Sequence, residues 1–358
     1  MIRWGIFSVF LILPIVLLTQ IDYSKQFLDK DYDLLKDQVE LVSWLFAGLI
    51  AIVALVSLFV GFMYDNKLLS ASRFRKQIYL PYTLSLTDIR QGLLEYERNV
   101  SGDILIKCVY AALLAVTSLT ILVWGTAVGF YTKYQFSTSL IFTIEAVLNF
   151  GIYAFYTVLC CFLVGLSIIF NHIKNNKDPL GDGFLPKAKD LCNIDHLISK
   201  GCDIDELALK VGPSVEFYKN PPIEEPTFEM NFHLPIKFHN FRFVISIYDK
   251  KKRPLLTCYG VLTEFGHLGE KFVKSLTTNL SEGIYNDLSE EVTGEIKIFN
   301  SEYKVVSRLG MSMIVNNNDS FILSPNRIIY SRDKIELNGN LLANLQEEKI
   351  KYHVEQRR

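Results

Sequence analysis

The sequence has little net charge and lacks the compact motifs that identify many enzymes. Its 358 residues contain 37 Lys and Arg against 38 Asp and Glu, so overall charge gives no ground for nucleic-acid binding. No glycine-rich loop follows a predicted strand, and neither G-x-S-x-G nor H-E-x-x-H occurs. The sequence therefore gives no support for a nucleotide-binding enzyme or a hydrolase, and we expect a protein without catalytic residues or a cofactor.

Metal-binding patterns are also sparse. The paired C-x2-C spacing of many structural zinc sites is absent. Cys192, His196 and Cys202 supply three soft ligands at short range, which Cys258 or His172 would complete to four. We interpret the cysteines as buried or surface thiols and predict no metal site.

Long hydrophobic runs, in contrast, fill the first half of the chain. Each is long enough to cross a hydrocarbon core about 30 Å thick at about 1.5 Å per helical residue. No small-x-small cleavage site follows the first run, so we expect it to remain as an anchor. The sequence predicts an integral membrane four-helix transmembrane region, residues 1–174, with spans at about 4–21, 41–63, 104–131 and 140–170.

The charges of the connecting loops predict the orientation. The loop Asp22–Glu40 is mainly acidic, whereas Tyr64–Asp103 is rich in Lys and Arg, and positive charge stays on the cytoplasmic side. The predicted outer loops contain no cysteine, which agrees with free thiols in a reducing cytoplasm. We therefore predict a multi-pass protein with both termini cytoplasmic, and the Asn-, Lys- and Ile-rich composition favours a bacterial inner membrane.

A few residues within the predicted spans are candidates for function or assembly. Glu145, Asn149 and Tyr153 recur at i, i+4 and i+8, so they form a polar row that lines a pathway, binds a partner helix or reaches the outer interface. Gly125 and Gly129 are spaced for close helix packing, either within the bundle or between copies of the chain.

The predicted cytoplasmic loop 64–103 contains a helix. Ser85 and Asp88 have the spacing of a capping box, and Ile89, Leu93 and Tyr96 then recur near the helical period. We expect this apolar stripe to pack on another part of the protein.

The second half of the chain has the composition of a soluble protein. Residues 175–226 are predicted to form a linker with short helices at Lys187–Lys200 and Ile204–Val211, the second with Asp203 as its N-cap. Residues 227–358 alternate apolar and polar side chains, which predicts a cytoplasmic α+β domain with a mainly antiparallel sheet. Its predicted helices are Glu264–Leu280 and Leu341–Tyr352.

A basic cluster lies between two of the predicted strands. Lys250, Lys251, Lys252 and Arg253 are followed by Pro254, as in a solvated hairpin turn. A domain held near the inner leaflet would also present such a cluster to anionic lipid. The cluster is therefore a candidate lipid-facing surface.

Two functions remain open from the sequence. The first is a sensor, scaffold or interaction module in a membrane-associated multiprotein assembly, with membrane lipids and either protein partners or a homo-oligomer at the cytoplasmic face. The alternative is an oligomeric channel-like effector gated by the cytoplasmic domain, suggested by the polar row. A membrane-bound enzyme that uses His267 and Glu270 on one helix face comes third.

Overall fold

The computed structural model describes residues 2–20, 32–132, 144–221, 226–236, 238–262, 274–288, 291–317, 320–330 and 351–356. Five longer helices occur within these ranges, namely α1 (Ile2–Gln20), α2 (Tyr32–Tyr79), α3 (Leu86–Val100), α4 (Ile104–Thr132) and α5 (Ile144–Lys174). Four short ones follow, namely α6 (Ala188–Leu191), α7 (Ile194–Ser199), α8 (Ile204–Val211) and α9 (Glu282–Asp287).

Three of the described helical segments are long and apolar enough to cross a membrane. They are Leu35–Tyr79 in α2, Leu86–Thr132, which covers α3 and α4, and Ala146–Lys174 in α5. They correspond to the second, third and fourth predicted spans. The first predicted span falls on α1, whose described apolar part, Phe7–Gln20, is shorter than a span requires. The structure thus supports a membrane protein with three candidate spans, and a fourth span stays a proposal.

The chain divides into two compact units. The first contains residues 1–69 and 102–184, and the second contains residues 70–101 and 185–358. Helix α2 is continuous through Leu69 and Ser70, so its last turns belong to the second unit. The helix α3 of the predicted cytoplasmic loop belongs to the second unit as well.

In the first unit, α4 packs against both α1 and α5. Phe7, Tyr64, Tyr110, Leu113 and Phe170 form its buried apolar core. Many other apolar side chains on α2 and α5 are exposed, including Trp44, Phe62 and Phe162. Such a surface suits hydrocarbon rather than water.

In the described part of the second unit, nine antiparallel strands form one sheet that is curved into a half-barrel. Its spatial order is β5-β2-β1-β8-β7-β6-β3-β4-β9. The strands are β1 (Ser214–Asn220), β2 (Thr227–Leu234), β3 (Phe241–Tyr248), β4 (Pro254–Leu262), β5 (Lys274–Leu280), β6 (Thr293–Phe299), β7 (Val305–Asn317), β8 (Ser320–Ile328) and β9 (Lys351–Gln356). This confirms the predicted antiparallel sheet.

The concave face of the sheet holds an apolar core. Phe217, Phe232, Phe243, Ile296 and Leu323 are fully buried on alternate positions of their strands. The rings of Phe232 on β2 and Phe243 on β3 stack with centroids 4.6 Å apart, although four strands separate β2 from β3 in the sheet. The curvature of the sheet therefore brings distant strands together across the core.

Two helix predictions are wrong where the structure describes them. Lys274–Leu280, the end of the predicted helix Glu264–Leu280, is strand β5, paired with β2. Lys351 and Tyr352, the end of the predicted helix Leu341–Tyr352, begin strand β9, paired with β4. The remaining residues of both predicted helices lie outside the described ranges.

Candidate functional site

The candidate site is built on a helical hairpin that consists of the end of α2, residues 70–79, and α3. A short 3-10 turn, Pro81–Thr83, joins the two helices. Ser85 caps α3 as predicted, because its hydroxyl accepts from the Asp88 backbone N–H and the Asp88 carboxylate accepts from the Ser85 N–H at 2.9 Å. The Ser85 hydroxyl also donates to the Asp88 carboxylate at 2.7 Å, and this bond, together with the one from the Ser85 N–H, lowers the pKa of Asp88. The sequence therefore fixes where α3 begins.

One face of the hairpin packs into the second unit. Ile78 of α2 is fully buried. Ile89 and Leu93 are fully buried too, as expected for the apolar stripe of α3. The hydroxyl of Tyr96 donates to the carbonyl of Pro186 at 2.7 Å. The guanidinium Nε of Arg90 donates to the carbonyl of Pro235 at 3.2 Å, at the end of β2. The hairpin is thus joined to both the linker and the sheet.

Asp203 connects the turn of the hairpin to α8. Its carboxylate caps α8 by accepting from the Glu206 N–H, and its backbone N–H donates to the Tyr79 carbonyl. The Tyr82 hydroxyl donates to the same carboxylate at 2.7 Å, and this bond raises the pKa of Tyr82. The end of α2 is consequently held by a residue whose N-cap role the sequence predicts.

Two further groups strengthen this contact between the hairpin and α8. The Lys210 ammonium donates to the carbonyls of Pro81 and Tyr82, each at 2.6 Å. The thiol of Cys202 donates to the Ile78 carbonyl at 3.3 Å. The Ile78 carbonyl lies in the last turn of α2 and the other two follow it, where carbonyls have no helical partners.

Beside its buried face, the hairpin forms an open cleft of about 400 Å³ between α2 and α3, and the buried rings of Phe74 and Tyr96 are part of its lining. A Cβ on Gly92 would lie 2.0 Å from the ring of Phe74, so only glycine permits this approach of the two helices. The polar side chains around the cleft come from both helices and are Ser70, Arg73, Gln77, Asp88, Gln91, Glu95 and Asn99. The cleft thus offers one cationic and two anionic groups beside side-chain amides.

The sequence did not predict this cleft. The spacing of apolar residues predicted the buried stripe of α3. The polar residues of α3 that line the cleft could not be recognised as one side of a cleft, because its other side is formed by α2. Asp88, Gln91, Glu95 and Asn99 follow the helical period, which is the signal that was present.

The predicted polar row lies on α5. The backbone of Glu145 is helical, and its side chain lies outside the described part of the structure. Asn149 is half-buried, and the Tyr153 hydroxyl shares a hydrogen bond of 2.9 Å with Thr132 on α4. Packing between α4 and α5 therefore accounts for Tyr153.

The predicted packing glycines lie on the buried side of α4. A Cβ on Gly125 would lie 2.7 Å from Leu18 of α1 and 2.8 Å from the hydroxyl of Tyr156 on α5. Gly129 is also buried. Close packing inside the first unit explains Gly125, and no second copy of the chain is required for it.

The basic cluster forms the tight turn between β3 and β4. Arg253 pairs with Asp249 at 2.7 Å, and Lys250 pairs with Glu291 at 2.5 Å. Lys252 adopts a positive φ of 58° within this turn. Lys251 and Lys252 are exposed. Half of the cluster is thus neutralised locally, and its contact with lipid stays a prediction.

The cysteines of the second unit are buried. Burial raises the pKa of the Cys192 and Cys202 thiols to about 12, so both stay protonated at neutral pH. Among the described residues, no three His, Cys, Asp or Glu side chains are grouped to hold a metal ion. His267 and Glu270 lie outside the described ranges.

Comparison of the chain with protein-family models and with curated proteins finds no match.

Proposed function

We propose that the protein is a membrane-anchored sensor or interaction component, whose half-barrel unit works at the cytoplasmic face as part of a larger assembly. The observation that carries this proposal is the hairpin of α2 and α3. Helix α2 is a candidate membrane span, and its last turn is hydrogen-bonded to Asp203 and Cys202 of the second unit. A rearrangement of that unit would therefore act directly on a helix of the anchor.

The cleft of the hairpin is the proposed contact surface for the partner. Arg73, Gln91 and Glu95 of the cleft are exposed, so an occupant can reach them without displacing the core rings Phe74 and Tyr96, which also line the cleft. Its polar groups, among them Arg73, Asp88 and Glu95, suit a protein surface with mixed charge. A second copy of this chain and a different protein are both possible occupants within the proposal.

Site-specific photocrosslinking in intact cells tests the proposal. A photoreactive amino acid at Gln91, an exposed residue of the cleft, is expected to crosslink the full-length protein to a partner or to a second copy. The matched control is Asp287, which is exposed on α9 of the same unit and does not line the cleft. The proposal fails if the protein is strictly monomeric in a lipid nanodisc and neither position gives a crosslinked product.

The channel-like alternative rests on the half-buried Asn149 in the polar row of α5. It predicts ion flux through the protein in liposomes and loss of that flux in Glu145→Ala. Flux that this substitution leaves unchanged would remove the reason for the alternative.

A further inference from the structure

A groove of about 850 Å³ lies between α2 and α5 within the first unit. On the α2 side its wall includes the small residues Ala54, Ser57 and Gly61, which follow the helical period. The ring of Phe170 on α5 would be 3.3 Å from a Cβ on Gly61, so this ring closes the groove at that point. The volume is within the range of pockets that bind small molecules.

The walls of the groove are apolar and exposed. Leu58 and Phe62 on α2 are 69% and 73% exposed, and Phe162 on α5 is 63% exposed. The hydroxyl of Ser57, which also lines the groove, is buried and has no hydrogen-bond partner among the described residues. Water is a poor occupant for such walls, whereas a hydrocarbon chain would cover them.

The charged groups gather at one end of the groove. Asp65 on α2 and Lys177 just after α5 are both exposed there. Asp178 also lines the groove, but it is almost fully buried and its carboxylate accepts from the Leu180 N–H. Ala54 and Asp65 are separated by about 16 Å along α2, at about 1.5 Å per residue. Since the hydrocarbon core of a bilayer is about 30 Å thick, the apolar part of the groove is as deep as one leaflet.

We propose that the groove binds one phospholipid whose zwitterionic headgroup carries a primary amine, as in phosphatidylethanolamine. The acyl chain lies between α2 and α5, the Lys177 ammonium donates to the lipid phosphate, and the Asp65 carboxylate accepts from the lipid ammonium. The exposed anion Asp65 and the exposed cation Lys177 match the two charges of this headgroup, whereas an anionic headgroup would leave Asp65 without a cationic partner. The proposal rests on the membrane placement in the proposed function.

Native mass spectrometry of the delipidated full-length protein tests this proposal. Phosphatidylethanolamine, phosphatidylglycerol and phosphatidylcholine are added separately, and the bound lipids are counted. We expect one tightly held phosphatidylethanolamine and weaker binding of the other two. Ala54→Phe fills the groove and should abolish that binding, whereas Ala51→Phe, one turn away at an exposed position outside the groove, should retain it.

Two exposed substitutions test the headgroup contacts without altering the apolar groove. Asp65→Asn should remove the preference for phosphatidylethanolamine over phosphatidylglycerol. Lys177→Gln should weaken both lipids about tenfold, because one charge-assisted hydrogen bond is lost. Lys36→Gln, at the other end of α2, is the matched control and should change neither.

Equal binding by the wild type and Ala54→Phe would overturn the groove assignment. Equal binding of all three lipids, or a selectivity unchanged in Asp65→Asn, would overturn the headgroup assignment. Release of the protein from membranes by carbonate would instead contradict the proposed function, so the two failures are distinguishable.

Discussion

At the scale of single residues, glycine determines how closely α2 and α3 approach. Gly92 faces the ring of Phe74, and Phe74 is itself almost buried, so the ring has little room to move away. Gly92→Ala would gain about 1 kcal/mol of helix propensity but would overpack this contact by about 1–3 kcal/mol. We expect a net loss of stability in the second unit.

This loss can be measured with a thiol-reactive dye during thermal unfolding. Cys192, Cys202 and Cys258 are buried in the second unit, so their reaction reports its unfolding once the other cysteines have been replaced. Gly283→Ala is the control, because a Cβ at Gly283 in α9 meets no atom within 4 Å. The steric explanation is wrong if Gly92→Ala lowers the unfolding temperature by the same amount in the Phe74→Leu background as in the protein with Phe74 intact.

Histidine makes the second unit sensitive to acid. Burial lowers the pKa of His196, and its Nε2 is buried without a partner among the described residues. The unfolded chain therefore takes up a proton near its usual pKa of about 6.5, before the folded chain does. Stability should be unaffected above that pH and should fall as the pH drops below it.

The variant His196→Leu should reduce this acid sensitivity, since the titrating group is gone. Circular dichroism of the sheet, recorded during thermal unfolding at pH 7.5 and pH 5, measures the effect. Burial also lowers the pKa of His239, so part of the pH dependence should remain in the variant. An unchanged difference in melting temperature between the two pH values would contradict the assignment to His196.

At the scale of elements, the loop that precedes α8 holds the hairpin. Asp203→Ala removes the cap of α8, which typically costs about 1 kcal/mol, and also the hydrogen bond from Tyr82. Tyr82→Phe removes only that hydrogen bond, so it should destabilise the second unit less. The same thiol assay ranks the two variants, and an equal effect of both would show that the cap contributes little.

The sequence predicted elements where local chemistry and periodicity agree. The capping residues Ser85 and Asp88 predicted the start of α3, and Asp203 predicted the start of α8. The alternation of apolar and polar side chains predicted strands β2 and β3. The helix prediction was wrong for Leu276 and Leu280, because a spacing of four residues places side chains on one face of a helix and also on one face of a strand. In the structure they lie opposite Phe232 and Phe228 of β2, so pairing with a neighbouring strand decided between the two.

Other elements depend on contacts that no local pattern displays. The predicted helix Lys187–Lys200 is interrupted at Asn193, whose side chain caps α7 and whose backbone bridges to His239. The strand β1 was not predicted, because Val215 and Phe217 are only two alternating apolar residues beside Gly212 and Pro213. The cleft of the hairpin likewise required two helices to be placed side by side.

At the scale of the whole molecule, the distribution of apolar surface and charge predicts retention in the membrane. Three long apolar helical segments with exposed Trp, Phe and Leu side chains should keep the protein in the pellet after a carbonate wash.

Alkaline phosphatase, which requires an oxidising compartment, should be inactive when fused after Arg358. Fused after Asp37, which belongs to the predicted outer loop Asp22–Glu40 and lies in the first turns of α2, it should be active if the first apolar stretch forms a fourth span. Activity at Arg358 would place the half-barrel outside the cell. This would contradict both the proposed partner surface at the cytoplasmic face and the expectation of free thiols in a reducing compartment.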